Sequence, residues 1–296
     1  MSILVFGAAG QLGRELAGAL SQRAMPAVLL SRQDADIADR PAVMSAIDRA
    51  KPAVVVNAAA YTKVDRAESE PEMAFRDNSE GPALLADACA ARGLPLIHVS
   101  TDYVFDGSKS SPYVETDPVA PLGIYGASKE AGEQAIRRAL ERHVILRTAW
   151  VYGVHGTNFL KTMLNLAGRS EGWGVVMDQH GNPTATADLA EAIVAVAARA
   201  AADTARWGTY HFAGTGEASW YDFACEIVAA QAQFTGRQPQ VRAITTAEYP
   251  TKARRPANSR LDSGLFAMAF GIKAHPWQER TREAVAALLS AETQRN

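Results

Sequence analysis

Up to about residue 150, short apolar runs alternate with longer stretches of helical spacing. Ile3 to Phe6, Ala27 to Leu30, Ala53 to Val56, Leu94 to Ser100 and His143 to Thr148 are short and largely apolar. Such runs suit parallel strands buried on both faces. Between them, Gln11 to Arg23 places Leu12, Leu16, Ala19 and Leu20 on one helix face. Pro41 to Ala50 reads as a helix with Asp39 as cap and Pro41 in the first turn. Glu72 to Arg92 reads as a long helix interrupted near Gly81-Pro82, and Leu122 to Leu140 includes another helix. Strand and helix recur at intervals of about 25 residues, the rhythm of repeated βαβ units. The expected fold is α/β, a doubly wound, Rossmann-like parallel sheet with helices on both faces.

Beyond residue 150 the rhythm loosens. Thr157 to Arg169, Thr186 to Ala202, Trp220 to Gln233 and His275 to Ala291 read as helices. Gly174 to Met177, Thr209 to Phe212 and Val241 to Ile244 read as strands. The division implied is a dinucleotide-binding domain over 1–150 and a smaller α/β substrate-binding lobe over 151–296, interleaved with the last strands of the main sheet. The chain shows no tandem repeat and no low-complexity segment.

Composition narrows the class. The 296 residues carry 30 basic and 32 acidic side chains, and this near-neutral balance argues against a nucleic-acid binder. The two cysteines, Cys89 and Cys225, form no CxxC pair and read as buried core thiols in a reducing compartment. No apolar run approaches the ~20 residues of a membrane helix. Met1 to Phe6 lacks a basic leader and reads as a first strand, so a cytoplasmic protein is expected.

Two clusters carry chemistry. Gly7-Ala8-Ala9-Gly10-Gln11-Leu12-Gly13 joins the first strand to the first helix, a spacing variant of the dinucleotide fingerprint. Its glycines permit a tight turn and let backbone N–H groups approach a pyrophosphate. At the end of the second strand Ser31 stands where a carboxylate would select NADH, and Arg32 offers donors to a 2′-phosphate, so NADPH is expected, with NADH accepted if Asp34 reaches the ribose. Tyr125 and Lys129 are i and i+4 on one helix face, where the ammonium would favour the phenolate. Thr101 lies 24 positions before Tyr125, at the end of a strand. A hydroxyl, a phenol and an ammonium beside a nicotinamide form a hydride-transfer site for a carbonyl or alcohol.

Together these residues resemble the extended short-chain dehydrogenase/reductase family, over nearly the whole chain. Four strings carry the likeness further: Val56 to Glu68, Ser100 to Gly107, Arg147 to Gly153 and Arg255 to Leu261. The resemblance implies that Gly7, Gly10, Gln11, Leu12 and Gly13 contact the cofactor phosphates and ribose, that Asp36 and Ile37 lie against the adenine, and that Ala60, Tyr61 and Thr62 line the cofactor channel. It implies Tyr125 as proton donor, Lys129 as ribose ligand and tuner of Tyr125, and Thr101 and Asp102 on the sugar. Trp150 would pack against the sugar, and Arg255 and Asn258 would serve the diphosphate. The implied reaction reduces the C4 ketone of a nucleotide-linked 6-deoxy sugar. Another nucleotide-sugar ketoreductase or an epimerase is an alternative, as is a non-catalytic NADP-binding subunit like that of methionine adenosyltransferase. The absence of an Asp-Glu pair after Thr101 disfavours a dehydratase. A homodimer is expected from the same likeness. Some members hold Mg2+ between subunits, and Glu15 stands where one ligand would come from, but Asp188 and the C-terminal tail fit poorly, so no metal ligand is assigned.

Overall fold

The computed structural model describes residues 2–293. The first half runs β1 (Ile3–Phe6), α1 (Gln11–Gln22), β2 (Ala27–Leu30), α2 (Arg40–Ala50), β3 (Val54–Asn57), α3 (Val64–Ala67), α4 (Pro71–Phe75), α5 (Gly81–Ala90), β4 (Leu96–Thr101), α6 (Ile124–Ala139) and β5 (His143–Thr148). The second half adds β6 (Val151–Tyr152), α7 (Phe159–Arg169), β7 (Gly172–Val176), β8 (His180–Gly181), β9 (Thr184–Ala185), α8 (Thr186–Ala201) and β10 (Gly208–His211). It ends with β11 (Ala218–Ser219), α9 (Trp220–Thr235), β12 (Gln240–Ile244), α10 (Gly264–Phe270) and α11 (Trp277–Thr293).

The main sheet has six strands in the order β10-β5-β4-β3-β1-β2, all parallel. Its order reverses at β1, so the loops after β1 and β3 diverge there and open a crevice. Leu16 and Leu20 of α1, Ile193 and Val196 of α8 and Phe266 and Phe270 of α10 cover one face of the sheet. Val43 and Ile47 of α2, Leu85 and Cys89 of α5 and Ile136 of α6 cover the other. A separate core of Tyr152, Leu160, Met163, Phe223, Ile227 and Val285 ties α7, α9 and α11 together. Three small sheets, β12-β7, β11-β8 and β6-β9, complete the second half. Among the described residues no helix is long and apolar enough to cross a membrane.

Local chemistry explains most element ends. Asp39 Oδ1 accepts the Ala42 N–H at 3.1 Å and caps α2. The expected break at Gly81-Pro82 is displaced: the chain makes a π-helical turn over Arg76–Glu80, in which Gly81 N–H bonds Arg76 O, and then enters α5. Pro82 sits in the first turn of α5, where its missing N–H costs nothing. Helix α10 and the two-residue strands have too little periodicity to be read from sequence. Cys89 is buried, and burial pushes its thiol up to about 12, whereas Cys225 is only partly buried, contrary to expectation. Cys225 lies on α9 beside Tyr221, away from the fully buried Phe223 stripe.

Helix α6 approaches its neighbours at backbone distance. A Cβ at Gly126 would stand 2.1 Å from Tyr103 O, and one at Gly132 would stand 2.1 Å from Asn78 O. Gly126→Ala is therefore expected to destabilise by about 1–3 kcal/mol through overpacking. Helix propensity alone favours alanine by about 1 kcal/mol, so it acts in the opposite direction. Urea denaturation decides the sign; equal or greater stability in the variant would show that α6 is not pinned there.

Candidate active site

The glycine loop lies at the crevice between β1 and β3. Gly7 has φ +87°, and a Cβ there would stand 2.5 Å from Ala59 N. A Cβ at Gly13 would stand 2.3 Å from Gly7 O, so that glycine lets α1 close onto the loop. A Cβ at Gly10 would meet only Gly7 O, at 3.3 Å, and Gly10 caps α1 with no side-chain hydrogen bond to the first turn. The bare helix N-terminus thus faces open space, the condition a pyrophosphate needs. A cleft of about 330 Å³ follows, lined by Gly7, Gly10, Arg32, Ala60, Tyr61, Thr62 and Asp77. Leu12 and Ile37 are instead buried in the apolar core, so at these two positions only the backbone can face a ligand.

The π-helical turn supplies residues that the sequence did not suggest. Asn78 Oδ1 accepts the Tyr61 N–H at 2.8 Å, and its Nδ2 donates to Tyr61 O and to Ser128 Oγ. This one amide holds the cleft wall against α6. The buried Asp77 pairs with both Arg32 and Arg76, and Arg76 also reaches Asp36 at 2.7 Å. Asp36 is therefore engaged by a guanidinium. Asp34 turns back to accept the Ser31 N–H and hydroxyl at 2.8 and 2.6 Å. Arg32 keeps more than half of its side chain exposed at the cleft.

Thr101, Asp102 and Tyr125 meet where β4 ends. Thr101 Oγ1 donates to Asp102 Oδ1 at 2.9 Å and accepts the Tyr103 N–H at 3.2 Å, and the Thr101 side chain lies close enough to the Tyr125 phenol to act on its acidity. Glu68 Oε1 accepts the Ile124 N–H at 2.8 Å, fixing the start of α6 and so Tyr125. Tyr103 and Tyr125 pack edge to face, with ring centroids 5.5 Å apart. Burial pushes the Tyr125 phenol up to about 12, with Thr101 opposing and Asp102 reinforcing. Burial also lifts the Asp102 carboxyl to about 6, with nearby Ser259 and Thr101 opposing, and its Oδ2 has no hydrogen-bond partner among the described residues.

Lys129 is fully buried, and its Nζ donates to Val99 O at 2.7 Å and lies 3.3 Å from His98 Nε2. Burial lowers its ammonium to about 8, with Glu133 opposing. The Lys129 Nζ bond goes to Val99 O of β4, and the side chains acting on the Tyr125 phenol are Thr101 and Asp102. One turn farther along α6, buried Glu133 accepts from Arg147 at 2.7 Å, from Arg137 at 2.9 Å and from Ser100. Burial would raise its carboxyl, but these partners hold it at about 2.

A second cavity of about 540 Å³ opens beside these groups, lined by Tyr103, Phe159, Trp173, Gln179, Trp220 and Arg255 among others. Arg255 Nη2 pairs with Asp65 at 2.7 Å at its margin. Trp150 is not part of this lining. Its ring stacks on Trp220 at 3.6 Å, its Nε1 donates to Ser259 Oγ, and its backbone takes a left-handed φ of +48°. Asn258 corrects an expectation: its Nδ2 donates to Lys109 O and Ser111 O while its Oδ1 accepts from Arg260, so its amide is spent on a loop. Gln11 reaches across the cleft, donating to Val151 O and accepting from Asn158 Nδ2. Glu15 accepts from Thr186 Oγ1, and Asp188 is taken by His275 and Arg280. Among the described residues no group of three acidic, histidine or cysteine side chains could hold a metal ion.

Residues 1–290 match the profile of the RmlD substrate binding domain family. The chain is 46% identical over 294 residues to the dTDP-4-dehydrorhamnose reductase of Sinorhizobium fredii, covering 98% of each chain. It is 41% identical to the enzyme of that name from Escherichia coli, covering 94% of this chain and 95% of the relative. Among solved structures, a dTDP-4-dehydrorhamnose reductase from Clostridium acetobutylicum superposes with a TM-score of 0.91 at 38% identity, covering 97% of this chain and 99% of the other. The Bacillus anthracis reductase in complex with NADP has a TM-score of 0.90 at 33% identity, with the same coverage.

The Glu133 charge has a measurable consequence. Its folded value near 2 lies below the ordinary 4.5, so its stabilisation is present above pH 4.5 and is lost as pH falls toward 2. Glu133→Gln should cost about 3–5 kcal/mol at pH 7, because it leaves Arg147 buried without its partner charge. The difference from wild type, measured by urea denaturation, should narrow between pH 4.5 and pH 3. A gap that stays constant across that range would show that the carboxylate charge does not contribute.

Proposed function

The chain belongs to the RmlD substrate-binding family, and from that premise we propose that it reduces the C4 ketone of dTDP-4-dehydro-6-deoxy-L-mannose to dTDP-L-rhamnose, with NADPH as donor. The observation that carries this reading is the meeting of Thr101 and Tyr125 at the end of β4, with buried Lys129 one turn behind on the same helix.

The glycine loop and the bare N-terminus of α1 fit a pyrophosphate, and Ala60, Tyr61 and Thr62 fit the channel leading from it. A reduced nicotinamide dinucleotide, when bound, supplies the hydride. Tyr125 supplies the proton to the alkoxide oxygen that develops at C4. Its raised value keeps the phenol protonated near neutral pH, the form a donor requires. Thr101 hydrogen-bonds the same oxygen and stabilises charge where it appears. Lys129 takes the ribose hydroxyls. The sugar nucleotide occupies the 540 Å³ cavity, with Arg255 at the phosphate end and Trp220, backed by the stacked Trp150, on its wall. Residues 1–150 serve the cofactor and 151–296 mainly the substrate, with α8 and β10 returning to the main sheet.

Two substitutions test these roles. Tyr125→Phe keeps the ring and removes the proton, so single-turnover hydride transfer to the ketosugar should fall about a hundredfold or more. NADPH affinity, read by fluorescence titration, should stay within about twofold, since the phenol serves the ketone oxygen. A variant that keeps more than a tenth of the wild-type rate removes Tyr125 from the acid role.

Arg32→Ala addresses cofactor choice. The Arg32 guanidinium stands at the cleft beside Asp77, where a 2′-phosphate would displace a carboxylate contact with a stronger one. The ratio of kcat/KM for NADPH over NADH should exceed one in wild type and drop about tenfold in the variant, the loss of one charge-assisted hydrogen bond. An unchanged ratio would show that Arg32 does not read the phosphate.

A further inference from the structure

Behind the Thr101–Tyr125 pair lies a buried polar chain that the proposed reaction does not use. Asn57 ends β3 and His98 lies in β4, and neither is exposed. The Ala59 N–H donates to Asn57 Oδ1 at 3.0 Å, which fixes the orientation of that amide. Asn57 Nδ2 then faces His98 Nδ1, also at 3.0 Å. An amide NH2 only donates, so His98 Nδ1 is the acceptor. Burial, followed by Lys129, pushes His98 well below its ordinary value, so its ring is neutral. A neutral ring with a bare Nδ1 carries its proton on Nε2. That N–H lies 3.3 Å from Lys129 Nζ, whose own proton goes to Val99 O.

An imidazole N–H and an ammonium are both donors. Their contact is favourable only when lysine is the free amine, whose lone pair accepts the Nε2 proton. We propose that His98, held by Asn57 as the Nε2–H tautomer, is a positioning residue whose N–H faces Lys129 Nζ and disfavours its ammonium form. This rests on the reading that Lys129 serves the reacting centre. The charged group of α6 acting on the pair is Glu133, which favours the ammonium and is itself engaged by Arg147 of β5 and by Arg137. Strand β3 contributes the neutral amide of Asn57.

The test is nitrogen NMR on the full chain labelled with 15N at histidine and lysine. The His98 signals are identified by their loss in His98→Phe. Wild type should show the Nε2–H tautomer, a measurement that needs no other variant to fold. In Asn57→Asp the new carboxylate accepts only, so it should draw the histidine proton to Nδ1 and leave Nε2 as an acceptor for the ammonium. Lys129 should then gain about tenfold or more in proton affinity, read from its Nζ titration. Measured against His98→Phe alone, adding Asn57→Asp supplies only the carboxylate charge, and the gain should shrink to about threefold or less. An Nδ1–H ring in wild type, or equal gains with and without the ring, would overturn the proposal. Full turnover by Lys129→Met would overturn the reaction reading alone, leaving the tautomer and affinity results to decide the role of His98.

Discussion

The site depends on how closely α6 lies to the loop after β4 and to the π-helical turn. At Gly126 and Gly132 there is no room for a Cβ, because carbonyl oxygens of Tyr103 and Asn78 occupy the positions such an atom would take. This proximity puts Tyr125 against Thr101 and buries Lys129 beneath it. A helix one side-chain layer farther away would leave the phenol and the threonine hydroxyl out of reach. Glu68 and Asn78 then fix the helix along its axis, one through the Ile124 N–H and the other through Ser128.

Close packing also sets the electrostatics. Taking ionisable groups out of water disfavours their charged forms unless partners compensate. Glu133 has those partners in Arg147, Arg137 and Ser100 and stays ionised. Asp102 has fewer and is lifted to about 6, and Lys129 has backbone and imidazole contacts rather than a carboxylate, which leaves its ammonium lowered. Three groups along one helix and one strand end thus sit in distinct charge environments because their hydrogen-bond partners differ.

The first and second halves of the chain bond to each other at the cleft. Gln11, in the first turn after the glycine loop, bonds the backbone of β6 and the side chain of Asn158. Arg255 crosses from the C-terminal loop to Asp65 beside α3. Such contacts tie the glycine-loop cleft to the neighbouring 540 Å³ cavity, and the left-handed Trp150 is held by Trp220 and Ser259 against its backbone strain.

What the sequence determined by itself was whatever repeats or sits close together along the chain. The apolar runs of β1 to β5, the Asp39 cap, the glycine loop and the i, i+4 pair of Tyr125 and Lys129 are local patterns, and local patterns are legible because neighbouring residues share one element. The four strings that carry the family likeness are likewise contiguous, and the matched family follows them over nearly the whole chain. Tertiary structure alone decided the partners of buried polar groups. Asn78 to Tyr61, His98 to Asn57 and Lys129, Glu133 to Arg147, and Trp150 to Trp220 join residues that nothing in their spacing connects. It also spent Asn258 on a loop and gave the Lys129 ammonium to Val99 O. A buried polar atom must bond whatever the packed elements bring within about 3 Å, and that neighbour is set by the three-dimensional packing rather than by position along the chain.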